Sequence, residues 1–102
     1  MSEGAPTLLI VDDDEPFRAA LSAAMERRGY AVSTAASGED AARLARETVF
    51  EYALVDMRMG GMGGIPTVSI LHEIDEGTRI VVLTGFGTIA NAVDAMRAGA
   101  LD

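Results

Sequence analysis

The chain contains no cysteine, which excludes a disulfide framework and a thiol nucleophile. It contains no lysine either, because all 8 of its basic residues are arginines. Chemistry that relies on a lysine ammonium is therefore closed to these residues. The single histidine, His72, reads as a solvated residue on a helix rather than as a phosphodonor or metal ligand. The apolar runs are only about four residues long, far short of the ~20 that a membrane-spanning helix needs. The first six residues, Met1 to Pro6, lack the basic and apolar regions of a secretory signal, so a cytoplasmic location is expected. Positive charge is scarce overall: 16 acids face 8 bases, for a net charge of -8. That balance disfavours direct contact with a nucleic-acid backbone. It suits a site that concentrates a divalent cation.

What is present is enough for one domain. At 102 residues and 49% hydrophobic, the chain can bury a single small core. No internal repeat, low-complexity tract or linker interrupts it. Strand and helix patterns alternate. Residues 7–11, 31–34, 52–56 and 79–83 read as strands, the second of them an edge. Asp14 can cap a first helix, Pro16 suits its first turn, and Gly29 is a natural stop. Phe17, Leu21, Ala24 and Met25 give that helix an apolar face, which Arg28 interrupts. Ser37-Gly38-Glu39-Asp40 resembles a capping box ahead of a helix bearing Ala41, Leu44 and Ala45. A third helix is expected from Ile65 or Pro66 to His72 or Ile74. The stripe Ile89, Ala92, Val93 and Met96 predicts a fourth, ending at Gly99. Four βα units with near-continuous apolar strands indicate an α/β fold whose parallel sheet is covered on both faces.

The strands end in residues suited to phosphate or metal chemistry. Leu8-Leu9-Ile10-Val11 runs into Asp12-Asp13-Asp14, Ala53-Leu54-Val55 into Asp56, and Ile80-Val81-Val82-Leu83 into Thr84. In open α/β sheets the carboxyl ends of the strands form the ligand-binding rim. Capping and helix-dipole electrostatics account for Asp14 and Glu15. They do not account for three consecutive aspartates, whose like charges repel unless a cation neutralises them. Mg²⁺ would do so with a few carboxylate oxygens and several waters. Taken singly, Asp56 reads as a turn residue or cap, and Thr84 as an ordinary strand-end threonine. Beside a metal, Asp56 becomes a candidate nucleophile toward phosphorus, and Thr84 a hydroxyl donor to a phosphoryl oxygen. The loop Gly60-Gly61-Met62-Gly63-Gly64 is glycine-rich but lacks the Lys-Ser/Thr ending of a phosphate cradle. Met57, Met59 and Met62 are expected to pack.

Together these motifs resemble the receiver domain of bacterial two-component response regulators. The residues that carry the resemblance are Leu9 to Pro16, Ala53 to Met59, Ile80 to Gly87, and in part Ala98 to Asp102. The stretch from Leu83 to Ala90 also resembles a subgroup of redox- and light-related transcriptional regulators. The resemblance implies a flavodoxin-like (CheY-like) doubly wound sheet. It implies strand order 2-1-3-4, with the family's fifth strand and fifth helix missing. Residues 7–102 would be the receiver, and 1–6 an N-terminal extension. Asp56 would accept phosphate from a histidine kinase. Asp13 would ligate Mg²⁺ directly, Asp12 through water, and Arg58 through its backbone carbonyl. Thr84 would bind the phosphoryl group and shift residues 85–87 and the following helix. The family's usual proline and acid after the acceptor are replaced by Gly60 and Gly63, which loosens the loop. Its phosphate-pairing lysine has no counterpart.

The expected function is therefore a phosphoacceptor module of a phosphorelay that switches conformation to control transcription. It would catalyse at most its own phosphorylation and dephosphorylation. The alternatives are a binding-only or dimerisation fragment without stable phosphorylation, and an Mg²⁺-dependent aspartyl-phosphate phosphatase, which would want a lysine. An unpaired fourth strand predicts self-association or exchange of segments between copies.

Overall fold

The computed structural model describes residues 4–59, 62–83 and 88–101. Its elements alternate strictly. They are β1 (Thr7–Val11), α1 (Glu15–Arg27), β2 (Ala31–Ala35), α2 (Gly38–Glu47), β3 (Tyr52–Asp56), α3 (Gly64–Ile74), β4 (Arg79–Leu83) and α4 (Ile89–Leu101). The strands form one parallel sheet in the order β2-β1-β3-β4, as the resemblance implies.

The apolar runs become strands because both faces of the sheet are covered. Leu8, Leu9, Ile10 and Val11 are fully buried, and in β3 so are Ala53, Leu54 and Val55 to within 1%. Alternate side chains of these strands feed separate cores. On one face, Leu8, Ile10, Leu54 and Leu83 pack with Leu21 and Met25 of α1 and with Ala92, Val93 and Met96 of α4. On the other, Leu9, Val11, Ala53 and Val55 pack with Ala41 of α2, Leu71 of α3, Phe50 and Met59. The helical stripes foreseen from spacing are thus the buried ones. Leu44 and Ala45 line the second core from its edge.

The caps also follow the sequence. Asp14 accepts a hydrogen bond from the Phe17 amide at 3.1 Å, and Ser37 accepts one from Asp40 at 3.1 Å. Gly29, with φ of 94°, follows the end of α1.

Several boundaries differ from expectation. β2 extends one residue past Thr34 to Ala35, whose carbonyl accepts the Asp12 amide. α3 begins at Gly64, earlier than the apolar pattern suggested. Arg28 is the cap residue beyond α1 rather than a break in its face, and its guanidinium donates to the Ala24 carbonyl. α4 continues past Gly99 to Leu101. A helical glycine costs only about 1 kcal/mol relative to alanine, so it need not end a helix.

Candidate metal centre at the carboxyl rim

Register explains how residues 44 positions apart in sequence meet. Val11 lies opposite Val55 on adjacent parallel strands, so the residues that follow, Asp12 and Asp56, emerge side by side at the carboxyl rim. Asp12, Asp13 and Asp56 each offer a carboxylate oxygen, and these atoms all lie within 4.8 Å of one another. Asp12 is buried, Asp13 exposed and Asp56 half-buried, so the cluster opens to solvent on one side.

Each acid is held by the turn that follows its strand. An Asp12 carboxylate oxygen accepts the Asp14 amide at 2.9 Å, while the Asp12 carbonyl accepts the Arg18 guanidinium at 2.8 Å. Arg18 reaches back from the first turn of α1 and also lies 4.0 Å from Glu15. Asp56 accepts the Arg58 amide at 3.1 Å, and the Met57 amide donates to Leu83 at 3.0 Å. Asp14 itself is spent on capping, as the sequence indicated.

Electrostatically the cluster gathers three carboxylates at one rim. Burial pushes the Asp12 carboxyl above its ordinary value. The hydrogen bond from the Asp14 amide opposes that rise, and the charges of Asp56, Asp13 and Asp14 add to it. The all-oxygen donor set fits a hard divalent cation. Oxygens on opposite sides of Mg²⁺ sit about 4.2 Å apart, so carboxylates within 4.8 Å need little closure. The amino end of α1 also faces this rim, favouring anionic groups there.

The remaining predicted positions divide. The backbone of Arg58 lies in the turn directly after Asp56. Thr84, Gly60 and the 85–87 segment lie outside the described residues. Leu83, which precedes Thr84, sits opposite Asp56 in the β3–β4 register.

A family model for the response regulator receiver domain matches residues 8–102. The chain belongs to that family. Among its relatives, the photosynthetic apparatus regulatory protein RegA of Cereibacter sphaeroides is 46% identical over 96 residues, covering 94% of this chain and 52% of that protein. The acid tolerance regulatory protein ActR of Sinorhizobium medicae is 42% identical over 96 residues, covering 94% and 50%. The chain thus spans about half the length of the curated relatives it matches. Among solved structures, a response regulator from Burkholderia pseudomallei, with a phosphorylated aspartic acid, calcium ion and citrate, is 38% identical. Its TM-score is 0.75, and the match covers 92% of this chain and 55% of that one. The receiver domain of the hybrid histidine kinase CckA shares the fold at TM-score 0.80 and 20% identity, covering 91% and 97%.

Sequence reading of this receiver domain missed Arg18 as a clamp on the Asp12 carbonyl. Its position four residues after the helix cap was the available signal, since one helical turn brings it back over the strand end. Thr67, which is 1% exposed, was also missed. No one-dimensional pattern marks a threonine buried between helices.

Proposed function

We propose that residues 7–102 act as a phosphoacceptor receiver in a two-component phosphorelay, preceded by an extension at 1–6. The convergence of Asp12, Asp13 and half-buried Asp56 on one rim carries this reading. Asp12, Asp13, Asp56 and the Arg58 carbonyl would hold Mg²⁺, which when bound neutralises charge on the carboxylates and the incoming phosphoryl oxygens. A carboxylate oxygen of Asp56 attacks phosphorus and forms the new P–O bond. The bond from phosphorus to the donor histidine breaks, and the leaving imidazole keeps the electron pair and takes up a proton. The carboxylate accepts from the Arg58 amide, which leaves its second oxygen for attack. The Thr84 hydroxyl donates to a phosphoryl oxygen and draws the segment after β4 toward the site. This biases a conformational equilibrium rather than driving repeated turnover.

The partner on this reading is a sensor histidine kinase, and the regulated output is transcription carried by other parts of a longer protein. The excess of acids argues against direct nucleic-acid contact by this domain. A cytoplasmic setting accords with a kinase donor. Among the described residues no helix is long and apolar enough to cross a membrane. The edge of β4 that no strand among the described residues covers is the place for a homodimer or segment-exchanged dimer to form. Light scattering that stays monomeric across a concentration series removes that last element.

The deciding experiment is incubation with a small phosphodonor and Mg²⁺, followed by intact-mass measurement. One added phosphoryl group is expected, lost when Mg²⁺ is chelated and absent in Asp56→Ala. Mg²⁺ binding without any mass gain would leave a binding-only module. A mass gain that survives Asp56→Ala would overturn the assignment of the acceptor.

A further inference from the structure

The sheet is not the only path connecting the two strand ends that form the site. A second path runs around it through α2 and α3. On the β1 side, the Asp12 amide donates to the carbonyl of Ala35 at 3.1 Å, tying the buried aspartate to the end of β2. Two residues on, Ser37 caps α2, and Gly38 is its first residue.

Gly38 lies hard against α3. A methyl group built there would meet the Thr67 hydroxyl, and would fall 2.7 Å from the sulfur of Met62. Thr67 is 1% exposed and donates its hydroxyl to the Gly63 carbonyl at 2.6 Å, which pins the first turn of α3. On the β3 side, α3 begins at Gly64, where a methyl group would fall 2.6 Å from both Cα and Sδ of Met57. It would also fall 3.1 Å from the carbonyl oxygen of Asp56. The first residue of α3 therefore rests on the peptide that follows the acceptor aspartate. The obstacle on that side includes backbone, which cannot swing away as a side chain can.

The path is closed: Asp12, Ala35, Gly38, Thr67, Gly64, Met57, Asp56. We propose that Gly64, Thr67 and Gly38 are positioning residues for the metal centre. The close packing of α2 against the first turn of α3 sets where the Asp56–Arg58 backbone sits relative to Asp12 and Asp13. The inference rests on the metal-site reading given above. Its chemical content is specific. The Arg58 carbonyl reaches the cation only if the turn after Asp56 keeps its path, and α3 backs that turn directly. The hydroxyl of Thr67 matters because it spans the narrowest part of the contact. A valine there keeps the shape but leaves the Gly63 carbonyl without that donor.

The test measures Mg²⁺ affinity by calorimetry alongside thermal stability on the 102-residue chain. Outer positioning groups of metal sites commonly change affinity by about 10- to 100-fold. Gly64→Ala is expected to weaken Mg²⁺ binding by about tenfold or more, near the low end of that range. Thr67→Val should weaken it measurably, and Thr67→Ser should restore wild-type affinity. Met96→Ala, which opens the core on the opposite face of the sheet, serves as the control. It should lower the melting temperature and leave Mg²⁺ affinity unchanged, which a merely structural role for the three residues cannot separate. If Gly64→Ala fails to fold, Gly38→Ala decides, since its obstacles are side-chain atoms that can give. Wild-type affinity in the folded variants overturns the proposal while leaving the metal site standing. A wild-type chain that takes up no Mg²⁺ overturns the metal-site reading and this inference with it.

Discussion

β1 and β3 are hydrogen-bonded to a neighbour on both edges, and their apolar residues are shielded on both faces. Among the described residues β4 is bonded on one edge only, and it leaves Val82 37% exposed. The chemistry-bearing carboxylates are carried by the first pair. A constellation that must converge to within a few ångströms gains from strands that cannot shift, because close-packed interiors transmit displacement rather than absorb it. The β4 flank differs also in where its helix lies. α3, joining β3 to β4, lies on the same face as α2, whereas α4 leaves β4 for the α1 face and packs there with Met25 and Leu21. A further parallel strand beside β4, joined right-handedly, would need its connecting helix on the α3 side. As seated, α4 closes the α1 core instead.

The sharpest way to break this contrast is to truncate one apolar side chain to alanine in each region. Leu54, 1% exposed in the centre of β3, should lose about 2–5 kcal/mol as Leu54→Ala, since a cavity there cannot collapse. Val82→Ala on the open face of β4 should cost less than about 1 kcal/mol. Urea denaturation of both variants gives the comparison directly. Equal losses would mean that the edge strand is as firmly packed as the centre and that its exposure misleads.

A smaller effect separates the caps. Asp14→Ala removes the acceptor of the Phe17 amide at the amino end of α1, and should cost about 1 kcal/mol. Ser37→Ala does the same for α2, at a similar about 1 kcal/mol. The two should part company in Mg²⁺ binding. Asp14 also donates its backbone amide to Asp12, so distortion of that turn reaches the proposed metal ligands. Ser37→Ala reaches them through Ala35, which accepts the Asp12 amide, and through the α2–α3 contact. Calorimetric titration of both variants should show the larger loss of affinity for Asp14→Ala. The reverse order would assign the larger influence on the rim to the helical path.

The sequence carried the central strands because burial on both faces demands unbroken apolar runs, and Leu8–Val11 and Ala53–Val55 are such runs. It carried the caps because Asp14 and Ser37 act within three residues of their own position. The meeting of Asp12 with Asp56 was legible only through topology. Nothing in either segment names its neighbour, and the strand order came from the family resemblance. The seat of α4 was not legible at all. Ile89, Ala92, Val93 and Met96 declare a buried stripe, but a stripe does not say which face of a sheet it covers. Gly38 and Gly64 read as a cap position and a flexible loop. Their absent side chains matter because of residues about 20 to 30 positions away or across a turn, and only packing reveals that.

The finest test of the rim against the rest of the sheet is its response to pH in the absence of metal. The Asp12 carboxyl is raised above 3.8 by burial first and neighbouring carboxylates second. The folded state therefore holds this proton more tightly than the unfolded chain does. The stability it contributes is fully present below the ordinary value, declines as pH rises through the raised one, and is gone above it. Asp12→Asn keeps an oxygen to accept the Asp14 amide but carries no charge. The metal-free variant should therefore melt above the wild type at neutral pH, with the gain vanishing toward acid. Added Mg²⁺ should stabilise the wild type more than the variant, because binding favours the folded state in proportion to affinity and Asp12 is one of the proposed ligands. Melting curves at several pH values, with Mg²⁺ and with chelator, read both effects. A variant less stable than wild type in chelator at neutral pH would show that the buried carboxylate is held by attractions stronger than the repulsion around it, and that the rim is stable without a cation.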